Sequence, residues 1–255
     1  MGLMAYEQRL QQAASLLSIL AIWALGTMVV DIIPSLPSPV EVAVAFAGAA
    51  ASISFWEEVT RSTFRVYLSF IVAAVVAIPL GLLIGRSETI SDLTFPALEV
   101  LRPIPPIAWY PALTIILFTP ANIVRFIIFL AAFFPILLNT VEGVRGVEEE
   151  YPQAARSLGA SPPQTMRHVI LPGALPSIYT GLVNAMGLAW VSLVAAELLS
   201  SSGLGYFIWN AFTAGAYSNI IVGMIAVGVL GYGSSALLRR LGTRRIAWLQ
   251  TAEGQ

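Results

Sequence analysis

Residues 151–172 read YPQAARSLGASPPQTMRHVILP. This polar, small-residue, proline-punctuated stretch interrupts a chain that is otherwise strongly apolar. Residues 153–158 are mostly good helix formers with small side chains. Gly159 is a natural stop, because glycine accepts the left-handed conformation that ends a helix. Ser161 can cap a second helix, and Pro162 fits its first turn. That second helix is expected to run to Leu171, with Pro172 marking the return to apolar sequence. The product is an elbow with two helical arms. Ala154 and Ala155 let another surface approach the first arm closely, and Arg156 and Arg167 are placed to hydrogen-bond a partner or lipid headgroups. On these residues alone two readings stand: a docking element for another protein, or an amphipathic loop lying on a membrane surface.

The rest of the chain supplies the setting. Its 255 residues are 57% hydrophobic and 11% charged, against about 25% charged in an ordinary soluble domain. The mean hydropathy is +0.81. Its apolar runs are long enough to cross a bilayer core, which takes about 20 helical residues, and no alternating segments suggest a barrel. The expected fold class is an all-α integral membrane protein with six transmembrane helices. The first lies over 13–33 and is stopped by the prolines of PSLPSP (34–39). Residues 34–57 form an external loop whose apolar part is too short to span and lies along the interface. Residues 58–240 form a five-helix core, with spans over 58–86, from 102 onward, and over 121–140, 173–199 and 219–238. Residues 87–102 read as a short polar connection. Pro79, Gly81 and Gly85 predict a kink. The prolines of RPIPPIAWYPAL (102–113) predict a bent, partly non-helical start to the third span. SSGLGYF (201–207) reads as a turn into a short re-entrant piece. The elbow occupies 147–172, and 241–255 is a tail. With no internal repeat in view, 1–255 is read as one domain.

All 13 basic residues are arginine. Six spans place both termini on one side. Arg61, Arg65 and Arg125 fall on the other side and the remaining arginines on the side of the termini, so the termini and the elbow are expected to be cytoplasmic. No small-residue cleavage site follows the first apolar run, which predicts a retained helix. A net charge of -1 argues against nucleic acid as a partner. The absence of cysteine excludes disulfides and thiol catalysis. His168, the single histidine, makes no metal site by itself. With few buried acids besides, no catalytic cluster is in view, and the chain is not expected to be an enzyme. The run GVEEEY (146–151) is either a solvated acidic face favouring a helix N-terminus or a contact to a partner.

The elbow resembles the cytoplasmic signature loop of the permease subunits of binding-protein-dependent ABC importers. That family's pattern is E-A-A, three residues, G, nine residues, I-x-L-P. Here it reads Gln153-Ala154-Ala155, Gly159 and Val169-Ile170-Leu171-Pro172 with the gaps intact. Gln153 stands where the family has glutamate, which removes a charge, and Val169 stands for isoleucine. The resemblance extends over about 60–240. ARSLGASPPQTMRHVILPGALPSIYTGL, LRPIPPIAWYPAL, GLAWVSLVAAELL, SGLGYFI and LPSPVEV resemble the nitrate/sulfonate/taurine/bicarbonate branch, whereas Phe118-Thr119-Pro120 departs from the glycine-containing turn usual there.

The resemblance implies a type I ABC importer permease fold. The elbow would be a coupling helix seated in a groove of a separate ATPase subunit through Gln153, Ala154, Ala155, Arg156, Leu158, Gly159, Arg167, Leu171 and Pro172. Two ATPases, a second permease (a homodimer) and a periplasmic or lipid-anchored solute-binding protein would be partners, in the cell membrane of a prokaryote. ATP and magnesium would sit in the ATPase, with no cofactor on this chain. The solute would be a small anion of the nitrate, bicarbonate, taurine or alkanesulfonate kind, with a vitamin-like heterocycle as the alternative. An ion-gradient-driven transporter is the alternative mechanism. It calls for midplane ionisable groups and matching halves, and Glu197 is the one acidic residue read as lying well inside a span. Intramembrane carboxylates are costly and therefore functional candidates. Glu197 is read as lining the path, as steadying an outer gate, or as paired structurally with Asn210 or a backbone amide. Asn184, Trp190 and Ser192 share its span and either face a polar cavity or pack helices. Trp109, beside Tyr110, is an aromatic constriction or an interfacial anchor.

Overall fold

The structure, a computed structural model, describes residues 14, 18, 21–27 and 36–245. The helix expected over 13–33 and the tail expected over 241–255 therefore lie largely outside the described residues; 21–27 are helical. Helix α1, Pro39–Ala50, is the short apolar helix expected ahead of the core. Its start is fixed by a capping box, in which the Ser38 amide donates to the Glu41 carboxylate at 2.7 Å and the Glu41 amide donates to Ser38 Oγ at 3.3 Å. Helix α2, Ile53–Arg86, runs for 34 residues through Pro79.

The polar connection expected over 87–102 is instead a helix, α3, Glu88–Leu101. Ser87 caps it by accepting from the Ile90 amide at 3.3 Å, and Phe95 and Leu98 pack on the core. The capping serine and the apolar spacing outweigh the local polarity. The chain then breaks as its prolines demand. A 3₁₀ turn, Pro106–Trp109, leads into α4, Tyr110–Leu117, and this segment lies at 88° to α3. Phe118, in the left-handed region at φ 52°, ends α4.

Helices α5 (Pro120–Arg145), α6 (Glu150–Ser157), α7 (Pro162–Thr165), α8 (Leu171–Glu197), α9 (Leu204–Thr213) and α10 (Tyr217–Arg245) complete the described chain. Among the described residues four helical runs are long and apolar enough to cross a membrane: Ile53–Arg86, Pro120–Arg145, Pro162–Glu197 and Tyr217–Gly242. The bent α3–α4 pair makes a fifth if it counts as one span.

Helices α2, α5 and α8 form the centre. Their shared core includes Val66, Ala73, Ile127, Ile136, Met186 and Leu193, all almost fully buried. Small residues bring the backbones together, as membrane helices require where water supplies no driving force. A Cβ at Gly81 of α2 would stand 2.6 Å from Thr140 Cβ of α5, and one at Gly181 of α8 would stand 2.7 Å from Asn139 Cβ. The described chain thus places a tight three-helix core between the elbow, at one end, and the α8–α9 turn at the other.

Candidate functional site

The first arm of the elbow is α6, whose N-terminus carries the acidic run. Arg156 returns to Glu149 in a half-exposed ion pair of 2.6 Å. The arm ends as the glycine predicts. Gly159 has φ +87°, its amide donates to Arg156 O at 2.9 Å, and the Ala160 amide donates to Ala155 O at 3.0 Å. This pair of bonds is the Schellman closure, which satisfies carbonyls the helix would otherwise leave open. Ser161 then starts the second arm, its amide donating to Gln164 Oε1 at 2.8 Å.

The second arm departs from expectation. It does not end at Pro172. One helical run of 36 residues carries on from Pro162 to Glu197, through a π turn at Met166–Ile170. The physical reason is Pro172 itself. Proline has no amide hydrogen and its ring collides with the carbonyl four residues back. In the π turn the Leu171 amide reaches Met166 O, one residue further than an α-helix would. The extra residue loosens the ladder where the proline cannot donate, and the helix continues.

Buried anchors hold the elbow to the core. Pro152 and Thr165 are buried, and Ile170 joins Val144, Ala174 and Ile178 in a satellite cluster. The outer surface is open: Gln153, Ala154, Arg156, Gly159 and Arg167 are exposed, and Ala155, Leu171 and Pro172 are half-buried. Tyr151 is 61% exposed and Leu158 90% exposed. Tyr151, Ala154 and Leu158 recur at helical spacing, so they form one apolar stripe on an otherwise polar element. His168 is exposed, with Nδ1 at 3.0 Å from Gln164 O.

A cavity of about 720 Å³ opens between the face of α5 bearing Ala131, Leu138 and Glu142 and the face of α8 bearing Asn184, Leu188 and Ser192. The α3–α4 break closes it with Arg102 and Pro106. It holds one cation, Arg102, one carboxylate, Glu142, and the neutral polar groups of Asn139, Asn184 and Ser192. Asn184 and Ser192 thus face one space together. The other residues considered for a path do not line it. Trp109 sits in the 3₁₀ turn, half-buried against the core. Trp190 is 3% exposed and its indole donates to Ser234 Oγ of α10 at 3.3 Å, with Tyr67 of α2 on the same hydroxyl at 2.9 Å.

Glu197 is fully buried and meets neither solvent nor the cavity. Its partners are Ser62, whose hydroxyl lies 2.7 Å from Oε2, Arg65, whose Nη1 lies 2.7 Å from Oε1, and the Gly205 amide at 3.0 Å. Asn210, weighed above as a partner, is exposed and takes no part. Arg65 also donates to Ser202 O at 2.8 Å and Ser202 Oγ at 2.7 Å. The α8–α9 turn wraps the carboxylate so closely that glycine is required. Gly203 has φ +108°, its amide bonds the Glu58 carboxylate, and a Cβ there would overlap the Glu197 carboxylate. Among the described residues no group of histidine, cysteine and carboxylate side chains could hold a metal.

Of the partners weighed for Glu197, the backbone amide is present, supplied by Gly205. Sequence reading placed Arg65 only on the side opposite the termini and missed its pairing with Glu197, as it missed Arg102, Asn139 and Glu142 at the cavity. The signal was there for Arg65: it lies twelve residues inside the α2 span, and intramembrane charges of opposite sign seek one another.

The family described as "Binding-protein-dependent transport system inner membrane component" matches residues 77–245. The chain is 38% identical over 198 residues to the bicarbonate transport system permease protein CmpB of Synechococcus elongatus, covering 77% of this chain and 68% of that one. It is 39% identical over 194 residues to the nitrate import permease protein NrtB of Leptolyngbya laminosa (74% and 68% covered). With the taurine transport system permease protein TauC of Escherichia coli it shares 34% over 196 residues (76% and 71% covered). Its fold matches that of a chain in the inward-facing MetNI methionine ABC transporter, with a TM-score of 0.61 at 21% identity, over 76% of this chain and 95% of that one.

Proposed function

The chain belongs to the binding-protein-dependent transport system inner membrane component family, and from that premise we propose that it forms the solute path of an ABC importer, driven by ATP hydrolysis in a separate subunit. The observation that carries this reading is the elbow: two capped arms bolted to the core through Pro152, Thr165 and Ile170, presenting Tyr151, Ala154 and Leu158 outward. An apolar stripe held rigidly on a polar projection is a surface made to be covered by protein.

In this reading the elbow docks on the ATPase subunit and the cavity holding Arg102, Asn184 and Ser192 is part of the path. The whole assembly has two permease copies, two ATPases and a solute-binding protein. The topology is six spans in a prokaryotic cell membrane, with both termini and the elbow in the cytoplasm. This chain performs no catalysis, and ATP and magnesium reside in the ATPase. The named relatives point to a small solute with an anionic group, such as bicarbonate, nitrate or zwitterionic taurine, with a heterocycle of vitamin type as the alternative. One arginine and three neutral hydrogen-bonding side chains on the cavity wall offer donors to an anionic group, and the Glu142 carboxylate on the same wall weakens the hold, which suits an anion that must also be released. The ion-gradient alternative loses its carboxylate, since Glu197 is already committed to Arg65 and enclosed.

Coexpression with the cognate ATPase and binding protein, followed by reconstitution in liposomes, tests this. Recruitment of the ATPase, with ATP hydrolysis raised by one of these three solutes together with the binding protein, is the expected result. A permease that recruits no ATPase from intact membranes would refute the coupling role of the elbow.

A further inference from the structure

A second groove lies at the end of the bundle far from the elbow. It encloses about 410 Å³ between α2 and α5, beside the last turn of α4. Leu68, Val72 and Val76 of α2 and Phe126 and Phe129 of α5 make its walls. Four of these five are more than a third exposed. At about 100° per residue, Asn122, Arg125 and Phe129 point from the side of α5 opposite to Ala131, Leu138 and Glu142. The groove therefore faces away from the cavity.

Two polar groups interrupt its apolar lining, and both are incomplete. Ser69 is 4% exposed, and its hydroxyl has no hydrogen-bond partner. Arg125 Nε is buried without a partner, and the guanidinium donates from Nη1 to the neutral Asn122 Oδ1 at 3.0 Å. Among the described residues no carboxylate lies within ion-pair distance of Arg125. A guanidinium at the rim of an apolar groove needs an anion brought to it.

We propose that this groove binds an anionic phospholipid, its phosphate on Arg125 and one acyl chain along the α2–α5 cleft. The bilayer supplies both halves of the ligand at this depth. Arg125 stands five residues into α5, near the level where headgroups meet hydrocarbon, and the wall from Leu68 to Val76 extends about 12 Å along the helix, room for part of one chain. The Ser69 hydroxyl donates to an ester carbonyl oxygen between the two. Charge complementarity selects phosphatidylglycerol over phosphatidylcholine, because the choline of the latter competes for the phosphate.

Native mass spectrometry of the full-length chain released from detergent, with equal phosphatidylglycerol and phosphatidylcholine, reads this directly. The wild type is expected to retain phosphatidylglycerol on the order of tenfold better, the worth of one charge-assisted hydrogen bond. Arg125→Gln abolishes that preference, and Arg125→Lys keeps most of it. Arg61→Gln, which removes an exposed cation at the same end, leaves it intact. Val76→Trp fills the cleft and lowers retention of both lipids with Arg125 untouched, so the idea stays testable if Arg125→Gln fails to fold. A wild type without preference, an Arg125→Gln variant that retains it, or a photocrosslinker at Val72 that captures a second copy of the chain instead of lipid would each overturn the proposal.

Discussion

A carboxylate with no water around it must be answered in place, and Glu197 is answered by an arginine 132 residues away in sequence. Breaking a buried pair by removing one partner costs about 3–5 kcal/mol, because the remaining charge stays behind unpaired. Arg65→Ala and Glu197→Ala should therefore each lower the thermal unfolding midpoint in detergent steeply. The double variant Arg65→Met with Glu197→Gln should regain much of the loss. A double variant as unstable as the singles would show that packing, not charge pairing, dominates the site. Gly159 makes the contrasting case. It is exposed, and a Cβ there meets nothing within 4 Å, yet its φ is +87°. Gly159→Val carries a conformational cost of about 1–2 kcal/mol in the left-handed region, confined to the elbow. The variant should insert normally while losing ATPase recruitment in co-purification. Of these two residues the sequence made Gly159 fully legible, because a stop between two helix signals needs only local information. Glu197 was legible as an anomaly and Arg65 as an arginine within an apolar run, but their pairing was not, since pairing across two spans is settled by tertiary packing.

At the scale of elements, the prolines were the informative residues and also the misleading ones. They correctly marked the break between α3 and α4. The same rule applied to Pro172 predicted a helix end where the structure continues through a π turn, because the backbone can add a residue to a turn instead of stopping. Pro172→Ala restores the missing donor and removes the ring. The turn should relax toward α geometry, which rotates the elbow arm by about 100° per residue withdrawn relative to α8. The expected outcome is an assembled complex whose ATP hydrolysis no longer responds to the binding protein, measured in liposomes. An unchanged response would mean that the π turn has no part in coupling. Helix α3 was missed for the opposite reason: its polar composition hid the serine cap and the apolar positions that hold it against the core.

At the scale of the molecule, the elbow and the cavity are built from different residues, so their defects should separate. Arg102→Ala deletes the one cation on the cavity wall. Loss of a hydrogen bond to a charged group, about 1.5–3 kcal/mol, predicts anion uptake reduced at least tenfold with ATPase recruitment unchanged. Equal uptake by wild type and variant would exclude Arg102 from the path. The apolar runs made the helical membrane class readable from the sequence. The cavity was readable only in part, through Asn184 and Ser192, since Arg102 and Glu142 reach it from elements far apart in the chain. The 36-residue run from Pro162 to Glu197 has a mechanical consequence. At about 1.5 Å per residue it is a rod about 54 Å long, pinned at one tip by the Glu197–Arg65 clasp and gripped at the other by whatever seats the elbow. A tilt of about 5° about either tip sweeps the opposite one through about 5 Å over that length. A stroke delivered at the elbow is thus geared down along the shaft, shrinking in proportion to the distance left to the clasp, which acts as the bearing on which it swings.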